Sequence, residues 1–246
     1  MNCTTRNRIT RYLLIVLALT SSSLLFAQQP APVAQPSAHA APAQALPSAD
    51  KVWADLVDGN KRFVSGKTRA YSVVPLRAKL ASGQQPNVIV LSCSDSRVAP
   101  ELVFDQSLGD IFTVRTAGNV ADPVALGSIE YAVDHIHSPL LVVMGHQKCG
   151  AVAAACSGDK MPSANLQAIV DKIDPAVSLA KTHAKSDDLI ESTVKENVHQ
   201  SAKDLLANSA IIRDAVKSGK LTVVEAEYEL GSGEVIRLNA PASGSN

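Results

Sequence analysis

The chain has 246 residues, 46% of them hydrophobic and 19% charged, with 23 basic side chains against 23 acidic ones. That length suits one substantial domain rather than two, and the apolar content supports a packed core and excludes wholesale disorder. Zero formal net charge argues against a nucleic-acid partner, because proteins that bind nucleic acids concentrate positive charge.

The balance is uneven along the chain. Residues 1–27 carry Arg6, Arg8 and Arg11, no acidic residue, and apolar runs at Tyr12–Leu19 and Leu24–Ala27. This is the pattern of a secretory signal peptide cleaved after Ala27. Cleavage would leave 20 basic and 23 acidic residues, a formal charge of −3, and would deliver the protein to the periplasm or beyond with no stable membrane contact. An uncleaved anchor is the competing reading, but the continuous apolar run is shorter than the roughly 20 residues a span needs. Residues 28–48 hold five prolines, seven alanines and no charge, a composition that forms a linker rather than a core. The folded domain is expected over residues 49–240, with a soft tail at 241–246.

Ser48 is a candidate N-cap for a helix over 49–65, where Trp53, Leu56, Asn60 and Phe63 recur at helical spacing. A second short helix is expected from Pro75 to Leu80. Val88–Leu91 is an apolar run without alternation, as in a parallel strand buried on both faces, and it leads into Ser92-Cys93-Ser94-Asp95-Ser96-Arg97. A second strand, Ile111–Thr116, ends at Ala117-Gly118-Asn119. The spacing of Ile129, Val133 and Ile136 predicts a helix from Val124 to His137. A third strand, Leu140–Met144, runs into Gly145-His146, and a helix follows Cys149 through about Cys156. Residues 163–180 and 187–218 read as helical, with Pro175 interrupting the first. Leu221–Leu230 and Glu234–Leu238 form a closing hairpin around Gly231-Ser232-Gly233. Alternating strands and helices predict an α/β fold with a mostly parallel central sheet flanked by helices.

Three metal-ligating side chains stand at predicted strand ends. Cys93 follows the first strand, and His146 and Cys149 follow the third. Open parallel sheets gather ligands at their carboxyl ends. Two sulfurs and one nitrogen are the ligand set of a catalytic zinc site with one open position, where the ion would make water nucleophilic near neutral pH. Cys156 lies two helical turns past Cys149 and reads as a packed thiol. Three cysteines beyond the leader do not make a disulfide framework. Asp95 and Arg97 are close enough to pair through a bidentate guanidinium–carboxylate contact. Paired, Asp95 could orient the nucleophile; released, it could itself take the open position on zinc.

The text Cys93-Ser-Asp95-Ser-Arg97 followed by His146-Gln-Lys-Cys149 resembles the β class of carbonic anhydrases. Glu101-Leu-Val-Phe-Asp105, Val114-Arg-Thr-Ala-Gly-Asn119 and Gly127-Ser-Ile-Glu-Tyr131 match that family as well, and the similarity runs from about Trp53 to the final hairpin. The resemblance implies that Cys93, His146 and Cys149 ligate one Zn2+ per subunit and that Asp95 and Arg97 are the catalytic dyad. It also implies a plant-like pocket of Gln84, Phe112 and Tyr131 contributed across a dimer interface, with Gly118 allowing close backbone approach. The implied reaction is hydration of carbon dioxide to bicarbonate by a homodimer or a tetramer of dimers. Some bacterial members carry an inhibitory bicarbonate site marked by Trp and Gly where this chain has Val90 and Ser92, so that regulation is not expected. The sequence identifies no dedicated proton shuttle; His135 and His137 are candidates, with an end-of-helix structural or surface role the favoured reading for both. Two other readings remain open at this point: hydrolysis of carbon disulfide or carbonyl sulfide, and a noncatalytic zinc-binding structural protein.

Overall fold

Every residue of Val88–Cys93 and of Leu140–His146 is buried, as the unbroken apolar runs require of strands covered on both faces. The computed structural model describes residues 46–185 and 188–238. The signal segment 1–27, linker residues 28–45 and the tail 241–246 lie outside the described residues.

Five strands form one sheet in the order β2-β1-β3-β4-β5, with β1 at Val88–Cys93, β2 at Ile111–Thr116, β3 at Leu140–His146, β4 at Thr222–Tyr228 and β5 at Val235–Arg237. The first four are parallel, and β5 returns antiparallel through the predicted hairpin. From β1 the chain steps outward to the edge strand β2, then crosses back to β3 on the other side of β1. That reversal opens a crevice between the carboxyl ends of β1 and β3, the place where open α/β sheets hold ligands.

Eight helices cover the sheet among the described residues. α1 (Ala49–Val64) is capped by Ser48, whose hydroxyl accepts from the Lys51 N–H at 3.3 Å. α1 and the short α3 (Pro100–Val103) bury Val52, Leu56, Val103 and Phe104 against Val88, Val90, Val142 and Met144 on one face. On the other face, α4 (Pro123–Tyr131), α7 (Leu189–Asn208) and α8 (Ala210–Lys217) pack Ile129, Val198, Leu205 and Ile212 against Ile89, Leu91, Leu141 and Val143. α2 (Val73–Leu80), α5 (Gly150–Ser157) and α6 (Ala164–Ala180) complete the set. Gly145 lets α7 press onto β3: a Cβ there would stand 2.6 Å from Val198 Cγ2.

Two expectations are corrected. Pro175 lies inside a continuous α6 rather than interrupting it. Burial of Val170, Ile173, Ala176, Val177 and Ala180 along one side outweighs the single missing N–H. The helix expected to run uniformly to His137 instead changes to a π turn over Ala132–Ile136, closed by His137 at φ 64°.

Candidate metal centre

The register puts the chemistry at one edge of the sheet. Cys93 closes β1 opposite Thr116, and His146 closes β3 opposite Tyr228. Cys149 follows a tight turn with Lys148 at φ 53° and precedes α5. The ligand atoms of Cys93, His146 and Cys149 all lie within 4.8 Å of one another, and all three side chains are buried.

The histidine shows which atom faces the group. Its Nδ1 lies 2.8 Å from the Gln147 carbonyl, which can only accept, so Nδ1 carries a proton and, in the neutral imidazole, Nε2 offers its lone pair. Nε2 is fully buried and has no hydrogen-bond partner among the described residues. An orphaned buried acceptor beside two thiols is costly unless a cation takes the lone pair, and two sulfurs with one imidazole suit zinc. The thiols also suit a cation. Cys149 beside it, with His146 and backbone donors, holds Cys93 down to about 4, against the opposing effect of burial, while Cys93 and burial push Cys149 well up. Two thiols this close share a proton unevenly; a divalent ion would hold both as thiolates.

Asp95 borders the group, with Oδ2 3.9 Å from His146 Nε2. Arg97 binds both its oxygens, and this pairing keeps the carboxyl well below the usual carboxylate range despite partial burial. Asp95 and Arg97 are therefore paired through the expected bidentate contact.

The loop is also held from outside. Arg115 on β2 donates from Nε to the Cys93 carbonyl at 3.0 Å and from Nη2 to the Asp95 carbonyl at 2.6 Å. Gly118, at φ 68°, donates its N–H to Cys93 Sγ at 3.3 Å. Its expected close backbone approach is thus to the metal group itself. A Cβ at Gly118 would stand 2.9 Å from Ile173 Cδ1 and 3.1 Å from Ala151 Cβ. Sequence reasoning singled out neither Arg115 nor the α7 side chains that hold this turn.

The other named residues are not gathered at this group within one chain. Gln84 is exposed and precedes β1 by four residues; nearby Pro86 accepts from Ser138, just before β3, so this segment lies at the opposite end of the sheet. Phe112 pairs with Ile89, near the start of both strands, and its ring lies 6.3 Å from that of Tyr131. Tyr131 in turn stacks on His135 at 5.0 Å. His137 precedes β3, whose length of about 20 Å separates it from His146. Cys156 is half-buried with Sγ 3.5 Å from Thr193 Oγ1, outside the metal group.

The carbonic anhydrase family profile matches residues 88–235. Carbonic anhydrase 2 of Mycobacterium tuberculosis is 40% identical over 188 residues, covering 75% of this chain and 90% of that protein. Among solved structures, the β-carbonic anhydrase CafA of Aspergillus fumigatus aligns with a TM-score of 0.62 at 28% identity, over 78% of this chain and 92% of that one. A tetrameric β-carbonic anhydrase from Sordaria macrospora aligns with a TM-score of 0.61 at 25% identity, over 77% and 98%.

Proposed function

This chain belongs to the β-carbonic anhydrase family, and from that premise we propose how its residues divide the work of the reaction. The activity is the zinc-dependent, reversible hydration of carbon dioxide to bicarbonate and a proton. Family membership favours this reaction over hydrolysis of carbon disulfide or carbonyl sulfide and over a purely structural zinc site.

In this proposal Cys93, His146 and Cys149 hold the zinc. The observation that carries the assignment is the buried, unpartnered Nε2 of His146 facing two thiols. When bound, zinc supplies the positive charge that makes a water molecule nucleophilic near neutral pH. Asp95, fixed by Arg97, accepts a hydrogen bond from that water and aims its lone pair at the carbon of carbon dioxide. The proton released on forming bicarbonate leaves through solvent and buffer. The Asp95 carboxylate also disfavours a second anion nearby and so favours bicarbonate release.

We further propose a homodimer, or a tetramer built from dimers, in which a partner completes the pocket with Gln84, Phe112 and Tyr131. Among the described residues β2 is an edge strand with its outer side unpaired. Around it Leu102 on α3 and Val124 and Tyr131 on α4 expose apolar surface, Val124 to 78%. An open edge rimmed by such side chains favours association, and the Sordaria macrospora relative is tetrameric. Export is proposed from the basic, apolar and small-residue order of residues 1–27. No helix among the described residues is long and apolar enough to cross a membrane.

The activity is tested by stopped-flow hydration of carbon dioxide with metal content measured on the same preparation. Hydration that tracks zinc occupancy supports the reading; zinc-loaded protein without hydration contradicts it.

A further inference from the structure

The turn after β2 is held from two sides. Gly118 donates its N–H to Cys93 Sγ at 3.3 Å, and its carbonyl accepts from Asn197 Nδ2 at 2.8 Å. The next residue, Asn119, is also left-handed, at φ 47°. Its carbonyl accepts from Ser201 Oγ at 3.0 Å, and its Nδ2 donates to the same oxygen at 3.3 Å. Asn119, Asn197 and Ser201 are all at least nine-tenths buried. Two left-handed residues in a row, the second not a glycine, persist only where their surroundings fix them. Here α7 fixes them, through two polar side chains one helical turn apart.

The position of the Gly118 N–H bears on the metal. An N–H donor on a thiolate withdraws charge from the sulfur and weakens its donation to a bound cation, leaving the cation the stronger Lewis acid. Groups that bond to ligands in this way tune affinity and activity by about 10–100-fold.

We infer that Asn197 is a positioning residue for the metal centre: by gripping the Gly118 carbonyl it keeps the Gly118 N–H on Cys93 Sγ and so sets the electron donation of that sulfur. Ser201 supports the same turn one residue on. The inference rests on the assignment of Cys93 as a zinc ligand. The 79-residue separation of Asn197 and Gly118 makes it a contact of the fold rather than of a local motif. An Asn197 that merely satisfied a buried carbonyl would cost stability when replaced and leave the sulfur unchanged.

The test uses the full chain with Co2+ in place of zinc and reads the thiolate-to-cobalt charge-transfer absorption. Asn197→Leu removes the donor while keeping the branched heavy-atom shape, and Asn197→Gln offers a donor again. Asn60→Leu is the control for loss of a buried asparagine: Asn60 bonds the carbonyls of Val103 and Gly233 at 3.0 and 2.8 Å, away from the metal group. With Asn197→Leu the band should move to longer wavelength, because a sulfur without its N–H gives up electron density more readily. The hydration rate of the zinc form should fall about 10–100-fold. Asn197→Gln should restore the band in part, and Asn60→Leu should leave it unmoved. Ser201→Ala, a milder change, should move it in the same direction by less and supplies the result if Asn197→Leu does not fold. An unmoved band in both Asn197→Leu and Ser201→Ala, or in Ser201→Ala alone where Asn197→Leu does not fold, overturns the inference, as does an equal shift in Asn60→Leu. Wild-type protein that binds cobalt without any thiolate band would instead overturn the ligand assignment, a separate outcome.

Discussion

Arg97 meets Asp95 at both oxygens: Nε donates to Oδ1 at 2.9 Å and Nη2 to Oδ2 at 2.7 Å, while the Arg97 backbone N–H reaches Oδ1 at 2.9 Å. Three donors from one residue fix the carboxylate plane in a way that a lysine point charge cannot. In the proposed mechanism, that orientation would decide where the hydrogen of the attacking water points.

Asp95→Asn should therefore lower carbon dioxide hydration by about 10²–10⁴-fold with zinc content unchanged. Arg97→Lys should lose activity to a smaller degree, because one charge remains but the fork is gone. Stopped-flow rates and metal analysis on the same samples check both. Wild-type turnover in Asp95→Asn would remove the carboxylate from the mechanism.

A second prediction concerns Gly118. Its φ of 68°, and the 2.9 Å that would separate an added Cβ from Ile173 Cδ1, leave no room for a side chain. Gly118→Ala should cost about 1–3 kcal/mol from the left-handed backbone and overpacking together. It should also loosen zinc, because a side chain there presses on Ala151, two residues past Cys149, and displaces that ligand. Thermal unfolding and zinc retention against a chelator measure the two effects. An unchanged unfolding midpoint would contradict the packing argument.

Acid stability should depend on Asp105. Burial alone would raise its pKa, but Arg62 and Arg69 outweigh burial and leave it lowered. The carboxylate accepts from Arg62 Nε at 2.5 Å and from the Arg69 backbone N–H at 3.0 Å, tying the end of α1 and the segment after it to α3. A carboxyl lowered on folding adds stability above its unfolded pKa of about 3.9. That contribution is lost as pH falls through the folded value. Asp105→Asn should cost about 2–3 kcal/mol at pH 7, and the gap from wild type should narrow below about pH 4. Denaturant unfolding at pH 7 and pH 3.5 gives the answer; an equal gap at both would refute it.

The exposed apolar rim of β2 yields a prediction about assembly. Val124→Asp places a charge on the most exposed of these large apolar residues. It should convert the protein to monomer in sedimentation and lower hydration, because Gln84, Phe112 and Tyr131 then have no neighbouring site to complete. A variant that stays oligomeric and fully active would place the interface elsewhere.

Much of this was legible in the chain. Cys93, His146 and Cys149 could be read because strand ends concentrate ligands and because the strands are short, unbroken apolar runs. The Asp95–Arg97 contact was legible because two residues of separation leave few alternatives. Asn197 was not, since its role depends on α7 meeting a turn 79 residues away, and no local pattern encodes that meeting. Pro175 misled for a related reason: the missing N–H is a local signal, whereas the burial of Ile173, Ala176 and Val177 that outweighs it is tertiary. The π turn at Ala132–Ile136 likewise leaves the apolar spacing of a helix intact and alters only its hydrogen-bond pattern.

In the proposed mechanism, hydration depends above all on zinc held by Cys93, His146 and Cys149. The most direct test is the carbon dioxide hydration rate of the full chain as prepared, after zinc is stripped by a chelator, and after zinc is returned, with metal content measured at each stage. We predict one zinc per chain, loss of hydration in step with zinc, and recovery on its return in wild type but not in Cys149→Ala. Full hydration by metal-free protein, or stoichiometric zinc and wild-type rates in Cys149→Ala, would contradict the assignment.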